Sequence, residues 1–204
     1  MGAKYSRRTF EDSSEDCQRQ KSILVRRFSL FTSPKSAVPP KAVPHITDEE
    51  RQLLVDSFGN LKNSISQIGV LLFIGLFESH PEMQGFFGDI KDCPPHLLPQ
   101  SKQLRTHALR VMGFIEKCIS RIHTPERLDA IIRQLGRHHF KYGAPPGYIP
   151  LVGPQFILAI RMTLDPQWDA VTEDAWLNLF AYIAYGMKQA MASSSHPDLL
   201  TPTT

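Results

Sequence analysis

Residues 134–143, "QLGRHHFKYG", place two adjacent histidines, His138 and His139, at the end of an apolar pattern. Leu128, Ile131, Ile132 and Leu135 recur at spacings of three and four, the period of a helix with one buried face. On an ideal wheel of about 100° per residue, the centre of that stripe falls about 30° from His139 and about 70° from His138. His139 therefore faces the interior, and His138 sits at its edge. "HTPER" at 123–127 starts this helix, with Thr124 as its cap and Pro125 at the first helical position, and "GAPPG" at 143–147 ends it.

Upstream, Leu104, Ala108, Val111, Ile115, Cys118 and Ile122 mark one face of a long helix from about Ser101 to Ile122. His107 lies one turn before Val111 and two before Ile115, so it borders the core face. Two helices thus aim one imidazole each at a shared interior, from positions 32 residues apart. From spacing alone, two core histidines bonded to backbone carbonyls are the favoured account, ahead of a pair of ligands. A structural zinc site wants about four ligands, commonly in tight local pairs, and no such set is evident. A flat macrocycle whose iron takes one imidazole from either side needs only two facing histidines and an apolar slot. The other histidines, His45, His80, His96, His123 and His196, fall at linkers, helix ends or tails and read as solvated or capping groups.

The 204 residues, 42% hydrophobic and 21% charged, suit one well-buried core with tails. The longest apolar run, Ile68 to Phe77, is about half of what a bilayer-spanning helix needs and reads as a core helix. Before it, "ITDEERQLLVDSF" opens the ordered domain, with Thr47 and Glu50 fitting a capping box and Leu54, Phe58, Leu61 and Ile65 on one face. After it, Pro81 starts a short turn, and Gly88, Pro94, Pro95 and Pro99 break the pattern into a loop. Further helices are expected from about Tyr148 to Leu164 and from about Thr172 to Ala192. No alternating strand pattern competes, so the expected fold class is all-α. The expected organisation is a disordered basic arm at 1–45, one domain at 46–192 and a disordered tail at 193–204. Three cysteines, Cys17, Cys93 and Cys118, lack CxxC spacing, and no signal-peptide stretch sits near the start, which points to a reduced, cytoplasmic setting.

With these residues in place, the stretch from about 46 to 192 resembles a globin. "LLFIGLFESHPEMQGFF" is similar to the family's second helix, proline-started third helix and following corner; "LRTHALRVMGFI" to its distal helix; "LGRHHFKYG" to its proximal segment. The resemblance implies seven to eight helices around a pocket for haem b. It makes His139 the proximal iron ligand, His107 the distal histidine, Phe87 the residue stacked on the haem and Phe73 a distal-pocket residue. It places Arg110 near the propionates, Val111 on the ligand side and Leu135 beneath the porphyrin. Tyr148, Val152 and Phe156 line the haem or pack the core. The long interval between the histidines resembles neuroglobin and globin X, branches in which the distal histidine can itself bind iron. The implied function is reversible binding of oxygen or another diatomic gas by a bis-histidyl haem, in sensing or in electron transfer with a redox partner. The alternatives are a haem enzyme acting on nitric oxide or nitrite, a five-coordinate oxygen carrier, and a scaffold that keeps the fold without haem.

The overall charge of +3 conceals an asymmetry: residues 1–45 hold nine Lys/Arg against four acids, whereas the rest holds 14 against 16. Attraction to acidic surfaces is therefore expected in the arm, and nucleic-acid binding by the core is not. "MGAKYS" fits N-myristoylation at Gly2, with Lys4, Arg7 and Arg8 as the second signal that one acyl chain needs. Ser29 in "RRFS" is a candidate phosphorylation site, whose added charge would weaken attraction to the inner leaflet of a membrane. A peripheral position on a cytoplasmic membrane face is the expectation.

Overall fold

A computed structural model describes residues 43–163 and 169–195; Gly2, Cys17 and Ser29 lie outside the described residues. Helix α1, Asp48–Leu61, begins as its sequence dictates. The Thr47 hydroxyl accepts from the Glu50 N–H (3.2 Å), while the Thr47 N–H donates to the Glu50 carboxylate (2.8 Å), completing the capping box. Leu54, Phe58 and Leu61 are its buried face. A single 3₁₀ turn, Lys62–Ser64, leads directly into α2, Ile65–Ser79, which starts earlier than its apolar run. By length and composition Asp48–Ser79 could pass for a membrane span. It is instead two helices, and Ile68, Leu72 and Leu76 are wholly buried in the core.

The segment expected to be a loop is more regular than that: short 3₁₀ turns cover Pro81–Phe86, Gly88–Ile90 and Pro95–Gln100. The Gln84 side-chain amide donates to the carbonyls of Ile90 and Cys93, both at 2.8 Å, which binds the segment together without longer helices. Helix α3 is Lys102–Ile119, capped by the Ser101 hydroxyl accepting from the Leu104 N–H. Helix α4 is Pro125–Lys141; Thr124 does not cap it, because its hydroxyl donates to the Arg121 carbonyl of the preceding turn. The prolines of "APPGYIP" hold Pro146–Leu151 in a 3₁₀ turn, so α5 runs only over Val152–Thr163, shorter than expected. Helix α6, Ala170–Ser195, is longer at both ends.

Among the described residues six α-helices and five 3₁₀ turns make an all-α fold. Helix α4 packs on α6, α2 on both α3 and α5, and α1 on α6. Fully buried Trp176 of α6 lies against Phe58 and Phe156, and its indole N–H, which needs a partner once buried, donates to Ser57 (3.0 Å). Cys118 is also buried, and burial pushes its thiol up to about 12, so it is a protonated packing residue.

Two glycines set helix separations. A Cβ at Gly69 would lie 2.9 Å from Met112 on α3, and one at Gly136 would lie 2.5 Å from the Met187 carbonyl oxygen on α6. Met112 can yield as a flexible side chain, but the Met187 backbone cannot. Gly136→Ala is therefore expected to lower stability by about 1–3 kcal/mol, the usual cost of overpacking, and to loosen the seat of α4. Urea unfolding of the two proteins checks this, and an unchanged midpoint would contradict it.

Candidate functional site

Helices α3 and α4 each carry two rows of inward residues. On α3, Leu104, Ala108, Met112 and Ile115 are buried, whereas His107, Val111 and Phe114 are half-buried. On α4, Leu128, Ile132 and Gly136 are buried, whereas Ile131, Leu135 and His139 are half-buried at intervals of four. The buried rows meet different supports, α2 behind α3 and α6 behind α4. Each histidine stands at one end of a half-buried row, with apolar side chains along the helix on one side of it. His138 is exposed, as its edge position requires.

The His107 ring sits among aromatic faces. Phe73 lies 4.9 Å from it and Phe87 5.1 Å, both edge-on, and Phe87 also meets Phe73 at 5.6 Å and Phe77 at 5.0 Å. Among the described residues, His107 makes no hydrogen bond. Burial, then the charges of His139 and Arg110, push its pKa down from 6.5 to about 4, so the imidazole is neutral with a free lone pair. The two imidazoles thus lie within electrostatic reach of one another.

His139 is oriented by its own helix. Its Nδ1 lies 3.0 Å from the Leu135 carbonyl oxygen, which can only accept; Nδ1 therefore carries the proton, and Nε2 keeps its lone pair for another partner. Its pKa is lowered, chiefly by burial, with the Leu135 bond acting against the shift and nearby His138 adding to it. Two neutral nitrogen donors are the result.

The remaining expected residues separate. Phe87 turns inward while its neighbour Phe86 is 50% exposed, with its ring 5.8 Å from that of Tyr148. Val111, Leu135, Tyr148 and Val152 are half-buried against the core, and Arg110 is exposed within electrostatic reach of His107. Phe156 is not brought to the histidines: it is wholly buried between Trp176 and Phe180, at 5.0 and 4.8 Å, and acts as a core residue. Two neighbours of the site went unassigned by the sequence reading, Phe77 and Phe114. Each stands a helical repeat from an assigned residue, Phe77 four after Phe73 and Phe114 seven after His107, and that spacing was the available signal.

The comparisons with known proteins agree with this geometry. A family model described as Globin matches residues 70–187. Cytoglobin-2 of Danio rerio is 27% identical, covering 67% of this chain and 77% of its own length, and neuroglobin of Tetraodon nigroviridis is 25% identical over 73% and 94%. Among solved structures, a hexacoordinated heme protein from an anhydrobiotic tardigrade shares the fold with a TM-score of 0.68 at 17% identity, covering 73% of this chain and 97% of its own. Myoglobin of Aplysia limacina, as a double mutant, shares it with a TM-score of 0.64 at 20% identity, over 72% and 99%. The chain belongs to the globin family. Its cofactor is haem b, and the chemistry of its class is the binding of a diatomic gas.

The residues present fit that cofactor. Two neutral imidazoles in apolar rows match a planar macrocycle that takes axial nitrogen ligands. Among the described residues, no group of three or more His, Cys, Asp or Glu could hold a bare metal ion instead.

Proposed function

We propose that this globin is bis-histidyl, with His139 as the proximal ligand and His107 as a distal ligand that gives way to a diatomic gas. The observation that carries this reading is the state of His107: a neutral ring without a hydrogen bond, held edge-on by Phe73 and Phe87. His139 and His107 would hold haem iron, which would supply the binding chemistry for a diatomic gas. The Leu135 carbonyl fixes the tautomer and plane of His139 and raises its basicity as a ligand. Phe87, with Phe73 and Phe77 behind it, would exclude water from the bound group and support it, while the exposed Arg110 would offer a counter-charge for its carboxylates.

Holding the gas site in competition with an internal ligand lowers apparent affinity and suits sensing or electron exchange with a redox partner, rather than bulk carriage. The absorption spectrum of the ferrous protein without oxygen tests the proposal: a low-spin, six-coordinate spectrum is expected, and a high-spin, five-coordinate one would refute it.

We also propose a position at the cytoplasmic face of a membrane, a reading supported by Gly2 in "MGAKYS" and by the excess of Lys/Arg over acids in residues 1–45. Gly2→Ala is expected to move the protein from the membrane to the soluble fraction of expressing cells. An unaltered distribution would exclude a lipid anchor at this position.

A further inference from the structure

Behind the helix that carries His139, α4 and α6 enclose a cleft of about 630 Å³, within the size range of small-molecule sites. Arg133 and Arg137 stand on its α4 wall one turn apart. Tyr182, Tyr185, Gln189 and Ser193 come from one face of α6, and Ile132 and Ala190 contribute apolar surface between them. The same two arginines border a second, adjoining cleft of about 420 Å³, into which Glu126 also faces.

Asp129 lines both clefts, but neither guanidinium is held in an ion pair among the described residues. Asp129, one turn before Arg133 and so in the position to pair with it, instead accepts a hydrogen bond from the Tyr182 hydroxyl at 2.5 Å. The ion pairs among the described residues join Arg51 to Asp48, His80 to Glu82, Lys91 to Asp92 and Arg161 to Glu173; Arg133 and Arg137 form none. Like charges at this spacing repel, and an anion between them would remove the repulsion. The hydroxyls of Ser193 and Ser194 donate to the Gln189 and Ala190 carbonyls of their own helix, so towards the cleft they accept. The strong donors for an anion are thus the two guanidinium forks.

We propose that the cleft between α4 and α6 binds an organic phosphate, with Arg133 and Arg137 holding the phosphate and the apolar surface at Ile132 and Ala190 carrying the organic body. A phosphate suits this pair better than a carboxylate. One guanidinium satisfies both oxygens of a carboxylate, whereas two can share the three terminal oxygens of a phosphate monoester. The chemistry is common to a soluble phosphate ester and to the headgroup of an anionic phospholipid. The site depends on neither the haem nor the ligation of His107.

Calorimetric titration of the full-length haem-loaded protein with phenyl phosphate at low salt tests the proposal. Saturable one-to-one binding is expected, tighter than that of inorganic phosphate. Arg133→Gln and Arg137→Gln should each weaken it by about tenfold or more, the loss expected for a charged hydrogen-bonded contact, and the double variant should abolish it. Both positions are exposed, so helical circular dichroism should be unchanged, and Lys117→Gln on α3 serves as a charge-matched control with unaltered binding. In sedimentation with phosphatidylcholine vesicles, binding that requires added phosphatidic acid and both arginines identifies a lipid headgroup as the source; phenyl phosphate binding without vesicle binding identifies a soluble ester. No saturable binding of either probe, or binding that survives in the double variant, overturns the proposal, and equal affinity for inorganic and phenyl phosphate removes the role of the apolar surface.

Discussion

His107→Leu is expected to convert the oxygen-free ferrous protein from a six-coordinate, low-spin to a five-coordinate, high-spin spectrum and to raise its apparent gas affinity. Leucine retains the apolar contacts with Phe73 and Phe87 and removes only the nitrogen donor. If the gas-competent form of the natural protein is about 1% populated, its apparent affinity is lowered about a hundredfold, and the variant recovers that factor. Flash photolysis with carbon monoxide measures it, because rebinding in the natural protein must wait for His107 to leave. In the haem-free protein, where the His107 lone pair is not engaged by iron, the substitution also has an acid signature. His107 is held at about 4 against 6.5 for an unfolded histidine, so between those values the unfolded chain takes up a proton that the folded chain refuses. Its contribution to stability is complete above pH 6.5 and is lost as the pH falls through 4. The leucine variant should therefore lose stability less steeply over that window, leaving the part due to His139, whose pKa is lowered in the same direction. An unchanged ferrous spectrum together with unchanged rebinding would remove His107 from the iron.

The helix faces were legible because burial imposes a period on sequence. Leu54, Phe58 and Leu61 on α1 and Leu128 and Ile132 on α4 were read as inward and are buried. The wheel also separated His139 from His138 by orientation alone. It could not divide an inward face into two rows with different neighbours. Leu128, Ile131, Ile132 and Leu135 formed one stripe in the sequence, yet Leu128 and Ile132 face protein while Ile131 and Leu135 share the half-buried row of His139. That division depends on where α6 packs, which is a tertiary fact. Val111 was similarly read as core and is half-buried, with Met112 taking the fully buried place. Helix limits failed where a local partner was hidden: Thr124 reads as a cap, but its hydroxyl is used by the Arg121 carbonyl. The cleft with its two arginines was not legible because Arg133 and Arg137 share their helix with Glu126 and Asp129, so no run of like charge marks them. The Tyr182 bond to Asp129, across 53 residues, is a tertiary fact that leaves Arg133 without an ion pair to the carboxylate one turn before it.

His139→Gly is expected to be the most damaging single change, since it removes the nitrogen whose plane and tautomer the helix fixes. The Leu135 carbonyl then loses its side-chain partner, and no other imidazole on α4 replaces it: His138 is exposed, on the neighbouring face of the helix. The loss should appear as haem that transfers readily to an acceptor apoprotein, together with a displaced Soret band. Millimolar imidazole should restore both, because glycine leaves room for a free ring at the vacated position. This rescue separates ligation from architecture. If His139 were only a packing residue bonded to Leu135, the variant would lose thermal stability without a spectral change, and imidazole would restore nothing. His138→Gly provides the contrast. It removes a neighbouring charge that lowers the pKa of His139 but no donor to iron, so haem retention should stay near that of the natural protein. Failure of the two variants to differ would mean that the sequence-adjacent pair does not divide its roles as the geometry of α4 requires.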